Sequence, residues 1–146
     1  MAYEQLKLEN QLCFPVYAAS RLITREYQPH LDRLGITYPQ YLVFMLLWEK
    51  DERSVNEITQ KLILNTNTVT PLLKRMEKQG FITRSRSPED SRKVIIKLSS
   101  KGLNLQEEAA LIPESLVKKI AGENIDMDAL KRLKKDLDQL IDLLNK

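Results

Sequence analysis

The sequence predicts a mainly α-helical chain with a small β-wing, in which a winged helix-turn-helix lies between terminal helices that form a dimerisation domain. Three observations predict this fold. Two short helices follow one another, a hairpin of alternating apolar residues comes directly after them, and both termini carry apolar stripes at helical spacing. The 146 residues suit one domain. We assign its terminal parts (1–36 and 100–146) to dimerisation and its central part (37–99) to the winged helix-turn-helix.

The composition excludes several classes of protein. With 42% hydrophobic and 29% charged residues, the chain is expected to fold as a globular protein. Its apolar runs are far shorter than the roughly 20 residues that span a bilayer, and its N-terminus has no secretory pattern. One cysteine and one histidine support neither an internal disulfide nor a metal site. We therefore expect no metal, no cofactor and a cytoplasmic location.

The first two helices are predicted from their apolar residues. A helix over about residues 9–28 is indicated by three- and four-residue spacing, and it is expected to end near Pro29. Pro15 is compatible with this helix only if the first turn begins nearby. A second helix, Tyr38 to about Lys50, is apolar on most sides and is therefore expected to be buried.

Two further helices form the helix-turn-helix. Ser54 and Glu57 have the spacing of a capping box at the start of a helix over Ser54–Leu62. In the next stretch, "ILNTNTVTPLLKRMEKQG", Asn65 or Thr66 is expected to cap a second helix and Gly80 to end it. Its apolar stripe consists of Val69, Leu72, Leu73 and Met76.

A β-hairpin comes directly after this helix. The predicted strands are Phe81–Ser85 and Lys93–Ser99, and the link "RSPEDSR" between them contains turn residues. The order of helix, helix and two-stranded wing is that of a winged helix. Residues 74–97 contain eight basic and three acidic residues, a local charge of +5 in a chain of net charge +3. Such a basic block is typical of a surface that binds a polyanion, although a solvated surface is the alternative.

Two helices close the chain. One is expected over Ser100–Ile120 with a bend at Pro113, and the other over about Asp126–Leu144. In the last helix five leucines step by three and four residues, as in a coiled-coil seam: Leu130, Leu133, Leu137, Leu140 and Leu144. This seam packs either within one chain or against a second copy, and a second copy would also cover the other terminal helix.

The winged helix predicts where DNA would bind. The start of its second helix carries short polar side chains suited to base edges and phosphates, namely Asn65, Thr66, Asn67, Thr68 and Thr70. Lys74 and Arg75 lie further along and suit phosphates. We place Arg84, Arg86 and Arg92 at the wing tip, where an arginine can enter the minor groove, and expect Asp90 to fix the loop and hold an arginine. The alternatives are helix capping for Asn65 and Thr66, and a surface ion pair for Asp90.

A family resemblance supports this interpretation. The stretch "TNTVTPLLKRMEKQGFITRSRSPEDSRKVIIKLSSKG" resembles the MarR family of winged-helix regulators, including the Asp90-x-Arg92 element of the wing. The resemblance implies a homodimer whose terminal helices interlock and whose two recognition helices enter successive major grooves of double-stranded DNA. Such a dimer reads a pseudo-palindromic operator.

The first 41 residues contain the only cysteine, Cys13, and all five tyrosines. The thiolate is the reactive form of cysteine, and a phenol hydroxyl or a helix N-terminus favours it. Tyr17 lies four residues after Cys13, on the same helical face. Tyr27 lies about 21 Å further along the helix, so it can reach Cys13 only from a second chain.

The stretches "LENQLCF", "YAASR" and "EYQPHLDRLGITYPQYL" extend the resemblance to the OhrR branch of the MarR family, the organic hydroperoxide sensors. The resemblance implies that Cys13 is oxidised to sulfenic acid, which then condenses with a small thiol, and that Tyr27 and Tyr38 of the opposite subunit bond it. The chain departs from the branch at Asn65-Thr66-Asn67, where Asp-Ser-Gly is common, and at Pro15, where an aliphatic residue is usual.

Three alternatives remain at this stage. A MarR-type regulator that responds to a small aromatic ligand would use Cys13 only as core packing. A thiol peroxidase would leave the basic winged helix unexplained. A winged helix that binds only proteins would leave the +5 segment unexplained.

Overall fold

The computed structural model describes residues 3–122, 124 and 126–146. Two short 3-10 turns, Glu4–Leu6 and Leu8–Asn10, precede the first helix. The helices are α1 (Cys13–Leu34), α2 (Tyr38–Glu49), α3 (Val55–Leu62), α4 (Thr66–Lys78), α5 (Ser100–Ala109), α6 (Leu111–Ala121) and α7 (Met127–Leu144). The strands are β1 (Arg53–Ser54), β2 (Ile82–Arg86) and β3 (Val94–Leu98). The predicted winged helix, mainly α with a small wing, is confirmed.

The chain divides into two compact units between Ala110 and Leu111. The first unit contains α1 to α5 and the sheet, and the second contains α6 and α7. The core of the first unit is built from the apolar stripes of α2, α3, α4 and the strands, and α1 contributes Leu31. Val69, Leu72, Leu73 and Met76 of α4 are all buried, as their spacing predicts.

The sheet has the order β1-β3-β2, with both pairs antiparallel. In the β2–β3 hairpin Arg84 pairs with Ile96 and Arg86 with Val94. The third strand, β1, was not predicted because it is only two residues long and pairs with a distant segment, Ser54 lying opposite Ile95. This pairing ties the start of α3 to the base of the wing.

The first helix runs further than predicted. Pro29 lies inside α1, and the helix continues for five more residues to Leu34, after which Gly35 adopts a φ of +73°. The expected end near Pro29 is therefore wrong. A proline removes one hydrogen bond of the helix, but burial of Leu31 anchors the turn that follows. Pro15 is the third residue of α1, in the first turn, where its missing N–H has no helical partner to lose.

Two helix termini also differ from the prediction. Ser54 Oγ accepts a hydrogen bond from the Glu57 N–H, but the Glu57 carboxylate bonds Arg53 instead of completing a capping box. A complete capping box forms at Thr37 and Gln40, at the start of α2.

The predicted helix over Ser100–Ile120 is interrupted at Ala110 rather than at Pro113. The reason is that Pro113 lacks the N–H that would bond the Ala109 carbonyl.

Within the described residues, no helix is both long and apolar enough to cross a membrane.

Candidate DNA interface and thiol site

The recognition helix α4 begins with a side-chain cap. Asn65 Oδ1 accepts hydrogen bonds from the Thr68 N–H at 3.0 Å and from Thr68 Oγ1 at 3.3 Å. Capping therefore falls to Asn65, whereas Thr66 is the first helical residue. The cap fixes where the helix starts and occupies both the Asn65 oxygen and the Thr68 hydroxyl.

The remaining polar residues of α4 lie on its solvent side. Thr66, Asn67, Lys74 and Arg75 are exposed, and Thr70 is half-buried. The helix also contains Pro71, so the Asn67 carbonyl lacks the amide that would normally bond it. This face thus presents short donors and acceptors at its start and two cations further along.

The wing loop is held by its own side chains. Asp90 Oδ1 accepts hydrogen bonds from the Arg92 N–H at 3.1 Å and from Arg92 Nε at 3.2 Å. These bonds hold the pKa of the Asp90 carboxyl below its usual range, since they favour the charged form. Arg92 itself is 90% exposed. Asp90 therefore bonds both the backbone and the side chain of Arg92, and its role in fixing the loop for DNA stays a prediction.

Arg84 and Arg86 do not lie at the wing tip, contrary to prediction. Arg84 sits in the middle of β2 with its side chain 24% exposed, and its Nη1 lies 4.0 Å from Glu77 Oε1. Arg86 ends β2, and its Nη1 donates to the Ser91 carbonyl at 2.8 Å. Side chains alternate between the two faces of a strand, so Arg84 points to the same face as buried Ile82. The basic residues of the wing sequence did not by themselves indicate which face Arg84 occupies. Of the three arginines only Arg92 lies in the loop between the strands, and its side chain is 90% exposed.

Cys13 is the first residue of α1 and is exposed in the single chain. Its neighbours in the first turn are exposed as well, with Phe14 at 42% and Val16 at 40%. Core packing within the chain, the alternative role, is therefore not what the structure shows. Position and exposure together place the thiol where helix dipole and solvent both reach it.

The predicted thiol partners are divided between two places. Tyr17 is 62% exposed, and the Arg21 guanidinium lies 4.5 Å from its ring centroid. Tyr27 and Tyr38 lie together, with ring centroids 5.3 Å apart. Because α1 is continuous from Cys13 to Leu34, Tyr27 is about 21 Å from Cys13 along the helix. Within one chain, the structure therefore keeps Tyr27 away from the thiol.

A third tyrosine, which the sequence did not single out, completes this cluster. Tyr41 is 3% exposed, and its ring centroid lies 5.6 Å from that of Tyr27 and 6.1 Å from that of Tyr38. Burial of the phenol is the main reason that the pKa of Tyr41 is raised to about 12. The negative charges of ionised Tyr27 and Tyr38 raise this pKa further. Burial, followed by Tyr38, also raises the pKa of Tyr27. Both phenols are neutral hydrogen-bond donors at physiological pH.

Ring contacts continue from this cluster to the recognition helix. Tyr41 contacts Trp48, which stacks on Phe44 with centroids 5.2 Å apart. Phe44 meets Phe81 edge to face, also at 5.2 Å, and the Phe81 N–H bonds the Met76 carbonyl of α4. A continuous path of aromatic rings thus joins Tyr27 to the end of α4. Contact between α1 and α2 creates this path, so helical spacing alone did not reveal it.

Among the described residues, no three histidine, cysteine, aspartate or glutamate side chains are placed to hold a metal ion.

Comparison with known proteins finds similar transcriptional regulators. Residues 25–109 match the family described as transcriptional regulator SarA/Rot. The organic hydroperoxide resistance transcriptional regulator of Bacillus subtilis is 48% identical over 98% of this chain and 95% of that protein. The HTH-type transcriptional regulator MgrA of Staphylococcus aureus is 35% identical over 94% of this chain and 92% of that protein. All are transcriptional regulators and not enzymes, so the peroxidase alternative is set aside.

Solved structures show the same architecture. Reduced AbfR bound to DNA is 38% identical and superposes with a TM-score of 0.80, covering 99% of this chain and 100% of that chain. A crystal structure of AbfR of Staphylococcus epidermidis, also 38% identical, gives a TM-score of 0.76 over 98% of this chain and 97% of that one. AbfR has also been solved in an overoxidised form bound to DNA and in a disulfide form.

Proposed function

Because the chain belongs to the MarR and SarA family of winged-helix transcriptional regulators, we propose that it is a dimeric repressor that releases its operator when an organic hydroperoxide oxidises Cys13. The observation that carries the proposal is the position of the lone cysteine, exposed at the first residue of a long helix. The similar regulator of B. subtilis is named for organic hydroperoxide resistance, which supports the same chemistry.

The DNA-binding part of the proposal assigns residues 37–99 to the operator. Thr66, Asn67 and Thr70 face base edges in the major groove, while Asn65 and Thr68 fix the start of the helix through their cap. Lys74 and Arg75 contact phosphates. Arg92, held by Asp90, enters the minor groove, and Arg86 braces the wing loop.

Dimerisation is supported by apolar faces that lack cover in the single chain. Helix α1 has 22 residues but buries only Leu31, and its exposed apolar residues include Leu22 at 50% and Ile23 at 55%. Helix α7 has no buried residue, and in its leucine seam Leu133 is 52% exposed. We propose that residues 1–36 and 100–146 form the interface and that two copies read the half-sites of a pseudo-palindrome.

An antiparallel pairing of the two α1 helices would bring the thiol to the tyrosines. The first residue of one helix would then lie beside the far end of the other, so Cys13 would meet Tyr27 and Tyr38 of the partner subunit. Their neutral hydroxyls donate hydrogen bonds, which favours the thiolate without adding charge. Tyr17 lies one helical turn from Cys13 and lines the same face.

The proposed reaction balances as a two-electron oxidation of sulfur. The Cys13 thiolate attacks the outer peroxide oxygen, the O–O bond breaks, and the alkoxide leaves and takes up a proton as the alcohol. A small thiol then attacks the sulfenic sulfur, giving a mixed disulfide and water. The larger side chain no longer fits between the tyrosines, and the dimer shifts to a form that leaves DNA. Duplex DNA and a small thiol are both supplied by the cytoplasm, where we place the protein.

The test is the intact mass of the reduced protein after an equimolar organic hydroperoxide, with and without a small thiol. We expect one added oxygen at Cys13, replaced by a thiol adduct when thiol is present. Cys13→Ser is the matched control and should remain unmodified at that position. A Cys13 that reacts no faster than a free thiol in solution would refute the sensor role and would favour a regulator that binds a small aromatic ligand.

The tyrosine contacts need a separate test. Tyr38→Phe keeps the ring but removes the hydroxyl, so we expect slower alkylation of Cys13 at neutral pH, since less thiolate is present. Tyr3→Phe, far along the chain from the cluster, is the control. Equal alkylation rates in both variants and in the wild type would argue against the phenols.

A further inference from the structure

A cleft of about 200 Å³ lies where the start of α3, the side of α4 and the base of the wing meet. Its walls are rich in hydrogen-bond donors. Three are cationic, Arg84, Arg92 and Lys93, and three are neutral, Ser54, Asn56 and Thr70. The pairing of β1 with β3 holds Ser54 and the start of α3 against the wing, so the two sides of the cleft are kept together by the fold.

Arg84 is the least satisfied of these groups. Within the part of the chain that the structure describes, its Nε is the one buried side-chain nitrogen or oxygen without a hydrogen-bond partner. The nearest carboxylate, Glu77, stands 4.0 Å from Nη1, too far for a hydrogen bond. The guanidinium is therefore incompletely bonded, which is unfavourable for a charged group. Because Nε itself is shielded from solvent, a ligand in the cleft would be held through the terminal nitrogens of Arg84.

The surroundings select an anion. Arg92 is tied to Asp90 through Nε, which leaves its terminal nitrogens available, and Lys93 adds a second charge at the wall. At the opposite wall the Ser54 side chain accepts a hydrogen bond from the Glu57 N–H. Val55 and Asn56 are the first two residues of α3, so their backbone N–H groups have no acceptor within the helix. Planar guanidinium groups and helical amides together match a tetrahedral oxyanion.

We propose that this cleft binds one phosphate group, with the Arg84 guanidinium as its principal ligand. The proposal rests on the proposed function, because the cleft lies between the recognition helix and the wing. The phosphate belongs either to the DNA backbone or to free inorganic phosphate. Bound there, it would fix the wing relative to α4 without reading any base.

The first arm of the test uses inorganic phosphate and the full-length reduced protein. The signals of the Arg84 Nε–H and of the Asn56 backbone amide are followed by NMR while phosphate replaces chloride at constant ionic strength. We expect saturable shifts of both signals, with the Arg86 Nε–H as the internal control, and the Asn56 amide serves as the readout in the Arg84→Gln variant. Arg84→Gln should weaken phosphate binding about tenfold or more, the loss expected for one charged hydrogen bond. Lys97→Gln, which removes an exposed cation of β3 outside the cleft, should leave it unchanged.

The second arm uses a mixed-sequence DNA duplex over a range of salt concentrations. If DNA supplies the phosphate, Arg84→Gln lowers the slope of log affinity against log salt by about 1, whereas Arg84→Lys, which keeps the charge, largely restores it. A saturable phosphate shift with an unchanged slope assigns the site to the free anion. No saturable shift together with an unchanged slope overturns the proposal. A failure of Cys13 to react leaves these readouts intact, so the two proposals fail separately.

Discussion

Gly102 in α5 is a position where adding a single methyl group is expected to disturb the packing of this helix against Phe44, Phe81 and Leu98. A Cβ built there would lie 2.3 Å from the Phe81 carbonyl oxygen, against about 3.3 Å for a close C···O approach. It would also lie 3.1 Å from Leu98 Cδ2 and 3.3 Å from Phe44 Cε1. Gly102→Ala therefore requires α5 to move away by about 1 Å.

The neighbouring backbone has little freedom to give way. The Phe81 oxygen accepts the Ser99 N–H at 2.9 Å, and the Gly102 oxygen accepts Trp48 Nε1–H at 3.1 Å. Overpacking costs about 1–3 kcal/mol, a strained Trp48 bond about 1 more, and the helix preference of Ala over Gly returns about 1. We expect a net loss of about 2 kcal/mol, or a melting temperature lower by roughly 4–8 °C.

The assay is urea denaturation at fixed protein concentration, followed by circular dichroism and Trp48 fluorescence. Gly122→Ala is the control, because its Cβ would meet the Lys118 carbonyl oxygen at an ordinary 3.4 Å and the stability should change by less than about 0.5 kcal/mol. If Gly102→Ala unfolds within 0.5 kcal/mol of the wild type, the close approach of α5 to Phe81 is not a constraint and the reasoning is wrong.

Three further predictions follow from single residues. The pKa of Tyr41 is about 12 in the folded protein, against 10.0 for an ordinary tyrosine. The neutral phenol therefore stabilises the fold below pH 10, and this contribution is lost as the pH rises toward 12. The loss is about 3 kcal/mol, so Tyr41→Phe should flatten the alkaline limb of a stability–pH curve; identical limbs would contradict this. Ile63 ends α3 with a φ of +55° and is 51% exposed, so Ile63→Gly should raise the free energy of unfolding by about 1 kcal/mol, and a decrease would disprove strain there. Arg92→Ala should weaken DNA binding and lower the salt slope by about 1; unchanged affinity and slope would exclude an Arg92–DNA contact.

Local sequence signals predicted the elements that local forces form. The apolar stripe of α4, its Asn65 cap and its end at Gly80 are all determined by residues within one or two turns, and each was predictable. The wing followed from alternation and a turn. The Thr37–Gln40 capping box has an equally local signal, a threonine three residues before a glutamine.

Features that depend on distant contacts could not be read in the same way. The inward direction of Arg84 follows from the pairing of β2 with β3, and the tyrosine cluster follows from the packing of α1 on α2. Arg53 is a further example. It is 3% exposed and donates to the Leu46 and Lys50 carbonyls at the end of α2, a use of a charged residue that no periodicity indicates.

The path of aromatic rings also gives the molecule an optical property. Trp48 is the only tryptophan of the sequence, and its ring lies 6.4 Å from that of Tyr41, close enough to collect excitation energy absorbed by the tyrosine cluster. Its indole Nε1–H donates a hydrogen bond to the Gly102 carbonyl oxygen, which fixes the ring. Tyrosine-sensitised tryptophan fluorescence therefore reports on the arrangement of Tyr27, Tyr38 and Tyr41 without any attached dye. A spectroscopist can follow that arrangement in real time while the peroxide is added.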